Sequence, residues 1–167
     1  TSLGTSAMET NTTGSYNTAI GGEALDKNTT GANNAAFGYQ ALYSNTTSSN
    51  NVAFGYKALY SNTTGTPNLA MGYEAAYSNT TGENIVAIGY QALKSNTTAS
   101  SNTGVGYQAL TATTTGYSNM ALGTLALGSN TTGNNNVAIG ANSLNNSTAA
   151  SNNTAIGSKV MLSNTTG

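Results

Sequence analysis

A strict 17-residue repeat runs through the whole chain, which has 167 residues. The tetrad Asn-Thr-Thr-Gly, or a close variant, begins at positions 11, 28, 45, 62, 79, 96, 113, 130, 147 and 164, without insertion or deletion. Such self-similarity is the signature of a solenoid, in which each repeat packs on its neighbours. We therefore expect residues 1–167 to form one repeat array. Because neither end departs from the repeat, we also expect the array to be a segment of a longer fibre.

Each unit, numbered from its first Asn, contains two short apolar segments. Positions 8 to 10 read as in Val52-Ala53-Phe54, and positions 14 and 15 read as in Ala58-Leu59. The residues between them are rich in Gly, Asn and Thr, which favour turns and are poor helix formers. The pattern predicts an all-β fold, a parallel β-roll or β-solenoid of about 17-residue rungs with two short strands each.

Two columns of the repeat are candidate structural positions. Position 11 is Gly in every copy, and we predict a backbone conformation forbidden to other residues at the corner after the first strand. These glycines include Gly21, Gly38, Gly55, Gly72, Gly89, Gly106, Gly123, Gly140 and Gly157. Position 7 is Asn in all but one copy, where Ile85 replaces it, and stacked Asn amides can pass hydrogen bonds from rung to rung. These residues are Asn17, Asn34, Asn51, Asn68, Asn102, Asn119, Asn136 and Asn153.

The apolar pattern bears on assembly. In the first strand, bulky positions 8 and 10 flank Ala at position 9, so both faces of the strand are apolar. Adjacent Ala and Leu in the second segment likewise point to opposite faces if that segment is extended. A roll of this size has one interior, so one apolar column remains outside along the whole array. Soluble monomers rarely tolerate such a stripe, and we expect parallel chains to associate laterally, three being the favoured number.

The composition excludes most chemistry. Only nine residues are charged, and the chain has no His, Cys, Trp or Arg. It therefore lacks an imidazole base, a thiolate nucleophile and the usual zinc ligands. Four Lys residues give no basic footprint for nucleic acid, and no apolar run is long enough to span a membrane. We expect a protein that is not an enzyme and uses no cofactor or metal.

The signature N-x-A-I-G resembles the head repeats of trimeric autotransporter adhesins. It occurs here in the segments 136–140 and 153–157. The longer unit N-T-T-G-x-x-N-T-A-x-G-Y-x-A-L is similar to repeats of bacterial and phage fibre proteins, including tail fibres. The resemblance covers the whole chain and implies a left-handed roll of three chains around one axis. It also implies an extracellular, cell-surface or virion location. The 17-residue unit is longer than that of adhesin heads.

Three polar features are candidate binding surfaces. A column of tyrosines at position 12 could present ring faces and hydroxyls to a surface glycan or receptor, or could serve only as a stacked ladder: Tyr39, Tyr56, Tyr73, Tyr90 and Tyr107. The Thr pair at positions 2 and 3 could order water as in ice-binding solenoids, although turn chemistry explains it without ice binding. Eight N-x-T sequons begin at position 1, where Asn serves either as a glycan acceptor or as a turn residue. Position 13 collects polar and charged residues and is interpreted as a solvated outer face.

The sequence thus predicts a structural or adhesive extracellular fibre segment that attaches to a surface or receptor. An ice-binding solenoid and a self-assembling surface filament without a receptor remain as alternatives. The expected partners are copies of the same chain and a surface glycan or receptor. Neither nucleic acid nor a membrane is expected to contact this segment.

Overall fold

A computed structural model describes residues 1–164, which form a parallel β-solenoid in which each 17-residue unit makes one rung. The described residues contain ten strands and no helix. The strands are β1 (Ser2–Leu3), β2 (Thr18–Ile20), β3 (Ala35–Phe37), β4 (Asn51–Phe54), β5 (Asn68–Met71), β6 (Ile85–Ile88), β7 (Thr103–Val105), β8 (Met120–Leu122), β9 (Val137–Ile139) and β10 (Thr154–Ile156).

All ten strands belong to one parallel sheet whose order follows the sequence from β1 to β10. Each strand residue pairs with the equivalent residue of the next repeat unit, so that Val52 pairs with Leu69 and Phe54 pairs with Met71. Every interior strand therefore hydrogen-bonds to the strands of the preceding and following rungs. The prediction of an all-β parallel solenoid with one repeat unit in each rung is confirmed.

The prediction of a second strand in each rung is wrong. Positions 13 and 15, which flank the first residue of the Ala-Leu pair, have positive φ; for Lys57 and Leu59 the angles are 53° and 51°. A strand requires φ near −120°, so this side of the rung is a run of turns. Its backbone still bonds to both neighbouring rungs: the Lys57 N–H donates to the Tyr39 carbonyl at 2.9 Å, and the Leu59 N–H donates to the Ala75 carbonyl at 3.0 Å. The residues with positive φ at positions 13 and 15 thus direct their N–H groups to opposite neighbouring rungs. These hydrogen bonds take the place of a second sheet.

The core lies between the sheet and the run of turns. Ala53, at position 9, faces inward from its strand, while Val52 and Phe54 face outward. Ala58 and Leu59 are both fully buried, which contradicts the expectation that this pair points to opposite faces. The reason is the turn conformation, since the alternation of side-chain direction holds only for an extended strand. Two columns of Ala, at positions 9 and 14, and a Leu at position 15 in most rungs therefore fill a narrow interior.

The glycine column turns the chain at the end of each strand. At Gly89 φ is +133°, and the described glycines of position 11 all lie between +124° and +137°. A Cβ built on Gly89 would lie 2.4 Å from the carbonyl oxygen of Gly106 in the next rung. A side chain is thus excluded twice, by the backbone angle and by the close approach of two rungs.

Candidate functional site

The outer surface of the sheet is largely apolar: position 10 is apolar in every described rung, whereas position 8 is polar at Thr18, Thr103 and Thr154. Positions 8 and 10 project from it, and Phe54 and Met71 are 54% and 43% exposed. Neighbouring side chains contact each other across rungs, as do Phe37 and Phe54, whose ring centroids are 5.7 Å apart. No charged residue occurs in any of the ten strands. We call this surface the apolar face.

A shallow depression of about 350 Å³ lies on the same side, in the rungs of β4 to β6. Its walls include Val52, Pro67, Leu69 and Val86. Asn50, Asn68 and Asn84 contribute the polar part of the lining. It contains no ionisable side chain, so it offers shape and apolar contact rather than a catalytic group.

The five tyrosines of position 12 form a continuous stack, which we call the outer Tyr ladder. Their ring centroids are 5.0 to 5.7 Å apart along the series, and three of the four pairs have interplanar angles of 8° or 9°. Each residue is 39% to 48% exposed. Because each of the three central rings is covered on both faces by its neighbours, the ladder presents ring edges and hydroxyl groups to the solvent. Only the two terminal rings have a face without a stacked Tyr.

A second stack, the inner Tyr ladder, runs parallel to the first. Tyr43, Tyr60 and Tyr77 at position 16 have centroid distances of 5.2 and 5.1 Å and interplanar angles of 4° and 3°. These rings are half-buried. Burial raises the pKa of the Tyr60 phenol above its ordinary value, so the Tyr60 hydroxyl remains a protonated donor at neutral pH.

Position 13 forms a polar ladder between the two Tyr ladders. The Gln40 amide donates to the Glu23 carboxylate at 2.8 Å, and the Gln91 amide donates to the Glu74 carboxylate at 2.9 Å. The series continues where the Gln108 amide donates to the Gln91 side-chain oxygen at 3.0 Å. These side chains are half-buried, so the expected solvated face is instead an ordered row of linked donors and acceptors.

Lysine side chains connect the polar ladder with the aromatic ladders. Lys57 Nζ lies 5.2 Å from the ring centroid of Tyr56 and 5.4 Å from that of Tyr60. This position between one ring of each ladder shows that the three rows are neighbours on one surface. A cation over aromatic rings at such distances is favourable, and the hydrogen bond with Tyr56 raises the pKa of the Lys57 ammonium.

The carboxylate of Glu74 is held by a lysine and a glutamine side chain. Lys94 Nζ lies 2.8 Å from Glu74 Oε2. Burial raises the pKa of Glu74, but the hydrogen bonds from Lys94 and Gln91 lower it by more, so the net pKa lies below its ordinary value. The same contact raises the pKa of Lys94. The charges of Glu74 and Lys94 are thus paired with each other within the surface.

The asparagines of position 7 connect rungs through the backbone. Asn34 Oδ1 accepts from the Asn51 backbone N–H at 3.0 Å, and Asn34 Nδ2 donates to the Ser48 carbonyl at 2.8 Å. Direct amide-to-amide bonds occur in later rungs, where Asn136 Nδ2 donates to Asn119 Oδ1 at 3.0 Å. The side chains of this column are buried in the described residues, so the structure places them in the scaffold rather than in a ligand site.

Sequence reasoning missed a second Asn ladder, formed by position 1. Asn45 Nδ2 donates to Asn28 Oδ1 at 2.8 Å and to the Ser48 carbonyl at 2.9 Å. The same pair of bonds recurs at Asn79 and Asn96. Six of these side chains are 0% exposed: Asn28, Asn45, Asn62, Asn79, Asn96 and Asn130. Because their Nδ2 atoms are buried and bonded, this fold has no room for N-linked glycans on them.

The two Thr columns differ in their surroundings. At position 2 the hydroxyl donates to the carbonyl of the next rung, as Thr63 Oγ1 does to Thr80 at 3.1 Å. At position 3 the side chains are exposed, as at Thr64 and Thr81. Both columns lie in a bend outside the sheet. The exposed column is regular but is not part of a flat strand surface.

The described part of the chain contains no group of three or more His, Cys, Asp or Glu side chains placed to hold a metal ion. Over the same residues no helix is long and apolar enough to cross a membrane. Comparison of the sequence with protein-family models and with curated proteins, and of the structure with solved structures, finds no match.

Proposed function

We propose that this chain is a non-enzymatic segment of an extracellular or virion-borne fibre, which supplies length and attaches to a surface. The observation that carries the proposal is an uninterrupted stack of hydrogen-bonded rungs that exposes an apolar face along its entire length. The resemblance to adhesin-head and phage-fibre repeats supports the same assignment. It also supports the extracellular or virion location.

The rung-to-rung bonding supports a mechanical role. Each rung bonds to the next through the sheet and through the run of turns, and most rungs do so through two Asn columns as well. In such an array, stability is a sum of rung and nearest-neighbour terms, so that added rungs extend the rod without a new core. Nine rung spacings of about 4.8 Å give a rod roughly 43 Å long.

The apolar face supports lateral association of parallel chains, with three copies as the favoured number. A strip of nine spacings by three strand residues covers roughly 430 Å² in projection, from about 4.8 Å per rung and about 3.3 Å per residue. The largest apolar patch of a typical monomer covers about 300–600 Å² and is often functional. The absence of charge from all ten strands removes repulsion between identical faces. In a trimer, each chain would cover part of the apolar face of the next chain.

Sedimentation velocity tests the self-association. The wild-type chain is expected to sediment as an oligomer, and the double variant Phe54→Lys, Met71→Lys as a monomer, because it places two cations on the apolar face. The matched control Thr47→Lys, Thr64→Lys adds the same charge on the exposed Thr column and should leave the oligomer intact. A wild-type chain that stays monomeric at every concentration would contradict the assembly.

Attachment is assigned to the outer Tyr ladder and the rows beside it. This surface combines exposed aromatic edges, phenolic hydroxyls and amides, which suit a surface glycan or a receptor. Binding to such a target would be lost in the double variant Tyr56→Ala, Tyr73→Ala. If glycan arrays and receptor screens show no binding that depends on these residues, the chain is a spacer without a receptor.

Ice binding is the second candidate, because the position 3 threonines form an exposed column at rung spacing. The bonded hydroxyls of position 2 and the bend that carries both columns weigh against it. Thermal hysteresis of the purified chain decides between the two functions. Hysteresis that disappears in Thr64→Tyr, Thr81→Tyr would favour ice binding over attachment.

A further inference from the structure

We propose that the outer Tyr ladder, the polar ladder and the inner Tyr ladder together bind one uncharged linear polysaccharide, which lies along the solenoid axis. We call this surface the tyrosine track. The inference rests on the attachment role proposed above and deepens it, because it adds the polar row and the second aromatic row to the site. It also names the class of ligand.

The geometry makes the three rows one surface. Lys57 contacts Tyr56 of the outer ladder and Tyr60 of the inner ladder, so the polar ladder runs between them. The rings of the outer ladder are exposed, whereas the polar row and the inner ladder are half-buried. In the three rungs of Tyr43, Tyr60 and Tyr77, a ligand on the polar row would therefore have aromatic side chains on both of its long sides.

The chemistry of the track suits a polyhydroxylated chain. Every ring that is not at the end of its ladder is stacked on both faces. The aromatic contribution to ligand binding therefore comes from ring edges and hydroxyls. In the polar row, one amide hydrogen of Gln91 is used by Glu74 and one of Gln108 is used by Gln91. The second hydrogen of each amide has no partner within the row. Sugar hydroxyls donate and accept in alternation and can complete such a row.

The charges select against ionic polymers. Glu74 is paired with Lys94 at 2.8 Å, and Lys57 lies over two aromatic rings. Acidic and basic side chains thus alternate along the track and compensate one another, so neither a polyanion nor a polycation gains from a continuous field. An uncharged glycan is the polymer whose hydrogen bonds fit here without burying an unpaired charge.

The spacing gives the direction of the ligand. The ring centroids of the outer ladder repeat every 5.0 to 5.7 Å over five rungs. A hexopyranose unit in an extended β-linked chain advances by nearly the same distance. Successive sugars can therefore meet equivalent side chains on successive rungs, and contacts accumulate along one ligand as in a multivalent complex.

Isothermal titration calorimetry with linear β-linked glucose and N-acetylglucosamine oligosaccharides of increasing length tests the track. The affinity is expected to rise with each added sugar until the ligand spans the five rungs of the outer ladder, and then to level off. Tyr73→Ala removes the central ring and should lower the affinity for a long oligosaccharide by about tenfold or more. Tyr117→Ala, at a tyrosine that is 50% exposed outside both ladders, is the matched control and should bind as the wild type does.

An affinity that does not depend on ligand length would overturn the proposal, as would a preference for an acidic polysaccharide such as alginate. An unchanged affinity in Tyr73→Ala would also overturn it, provided that circular dichroism shows the variant to be folded. Sedimentation of the same samples separates this failure from that of the fibre assignment. Oligomers without glycan binding refute only the tyrosine track, whereas monomers without glycan binding refute both.

Discussion

Removing one amide from the position 1 ladder should destabilise the solenoid by about 3 kcal/mol. Asn79 is fully buried and makes three side-chain hydrogen bonds. It donates to Asn62 Oδ1 at 2.9 Å and to the Gly82 carbonyl at 3.0 Å, and it accepts from Asn96 Nδ2 at 2.8 Å. Asn79→Ala removes all three bonds within one rung.

The size of this loss of stability follows from the hydrogen bonds that each partner of Asn79 keeps after the substitution. The Gly82 carbonyl still accepts from Asn68, and Asn96 Nδ2 still donates to the Ala99 carbonyl. These two losses cost about 1 kcal/mol together, whereas Asn62 Oδ1 loses its donor in a buried site, which costs roughly 1–3 kcal/mol. With about 2–4 °C per kcal/mol for a chain of this length, the melting temperature should fall by roughly 6–12 °C.

Thermal and urea unfolding followed by far-ultraviolet circular dichroism measure the effect, at one protein concentration because association shifts the transition. Thr81→Ala is the control within the same rung, since its side chain is exposed and its loss should change stability by less than about 0.5 kcal/mol. A loss below about 1 kcal/mol for Asn79→Ala would refute the reasoning, because the general cost of an unsatisfied buried acceptor would then not apply.

Three further results are expected. Thr113 interrupts the position 1 ladder above Asn96, and Thr113→Asn should stabilise the chain by about 1 kcal/mol, seen as a higher melting temperature; a lower one would contradict the ladder. Gly89→Ala should cost more than about 3 kcal/mol, because both φ and the carbonyl of the next rung forbid a Cβ. Gly22→Ala, at a glycine without positive φ whose Cβ would meet Tyr39 Cδ2 at 3.3 Å, should cost much less in the same unfolding assay. Hydrogen bonds hold the pKa of Glu74 below its ordinary value despite burial, so its contribution to stability is present at neutral pH and is lost on acidification through that pKa. Urea unfolding of wild type and Glu74→Gln between neutral and acidic pH should show a smaller pH dependence in the variant, and equal dependence would contradict the ion pair.

The repeat allowed most of the fold to be predicted from sequence. A fixed 17-residue period with apolar residues at positions 8 to 10 determines the parallel pairing, since equivalent residues must stack on one another. The outward apolar face followed from the same pattern. Val52 and Phe54 flank an inward Ala53, as strand alternation requires.

The run of turns could not be predicted from residue types. Leu59 is a helix-former by propensity and an apolar residue by pattern, yet its φ is 51°. No local preference of Leu favours that angle. It is held by the hydrogen bond from its backbone N–H to the Ala75 carbonyl of the next rung and by burial of its side chain, both of which exist only once the rungs are stacked.

The candidate site was predictable in part. The stacking of Tyr56 on Tyr73 followed from the 17-residue spacing alone. The role of Asn45 did not, because an Asn before Thr-Thr-Gly is equally typical of a turn, and only its recurrence in most copies hinted at a buried ladder. The polar row of Gln91 and Glu74 was interpreted as solvated because Gln and Glu are usually exposed.

The most direct test of the account is the distance between equivalent positions of different rungs. The chain has no cysteine, so pairs of spin labels can be placed by Cys substitution at exposed Thr residues of position 3. Labels at Thr47 and Thr132 are five rungs apart, and labels at Thr13 and Thr132 are seven rungs apart. With labelled chains diluted in unlabelled ones, double electron–electron resonance should give narrow distributions of the label-to-label distance near ~24 Å and ~34 Å, at about 4.8 Å per rung. Distances that are equal, broad or unrelated to the number of intervening rungs would contradict the stacked solenoid.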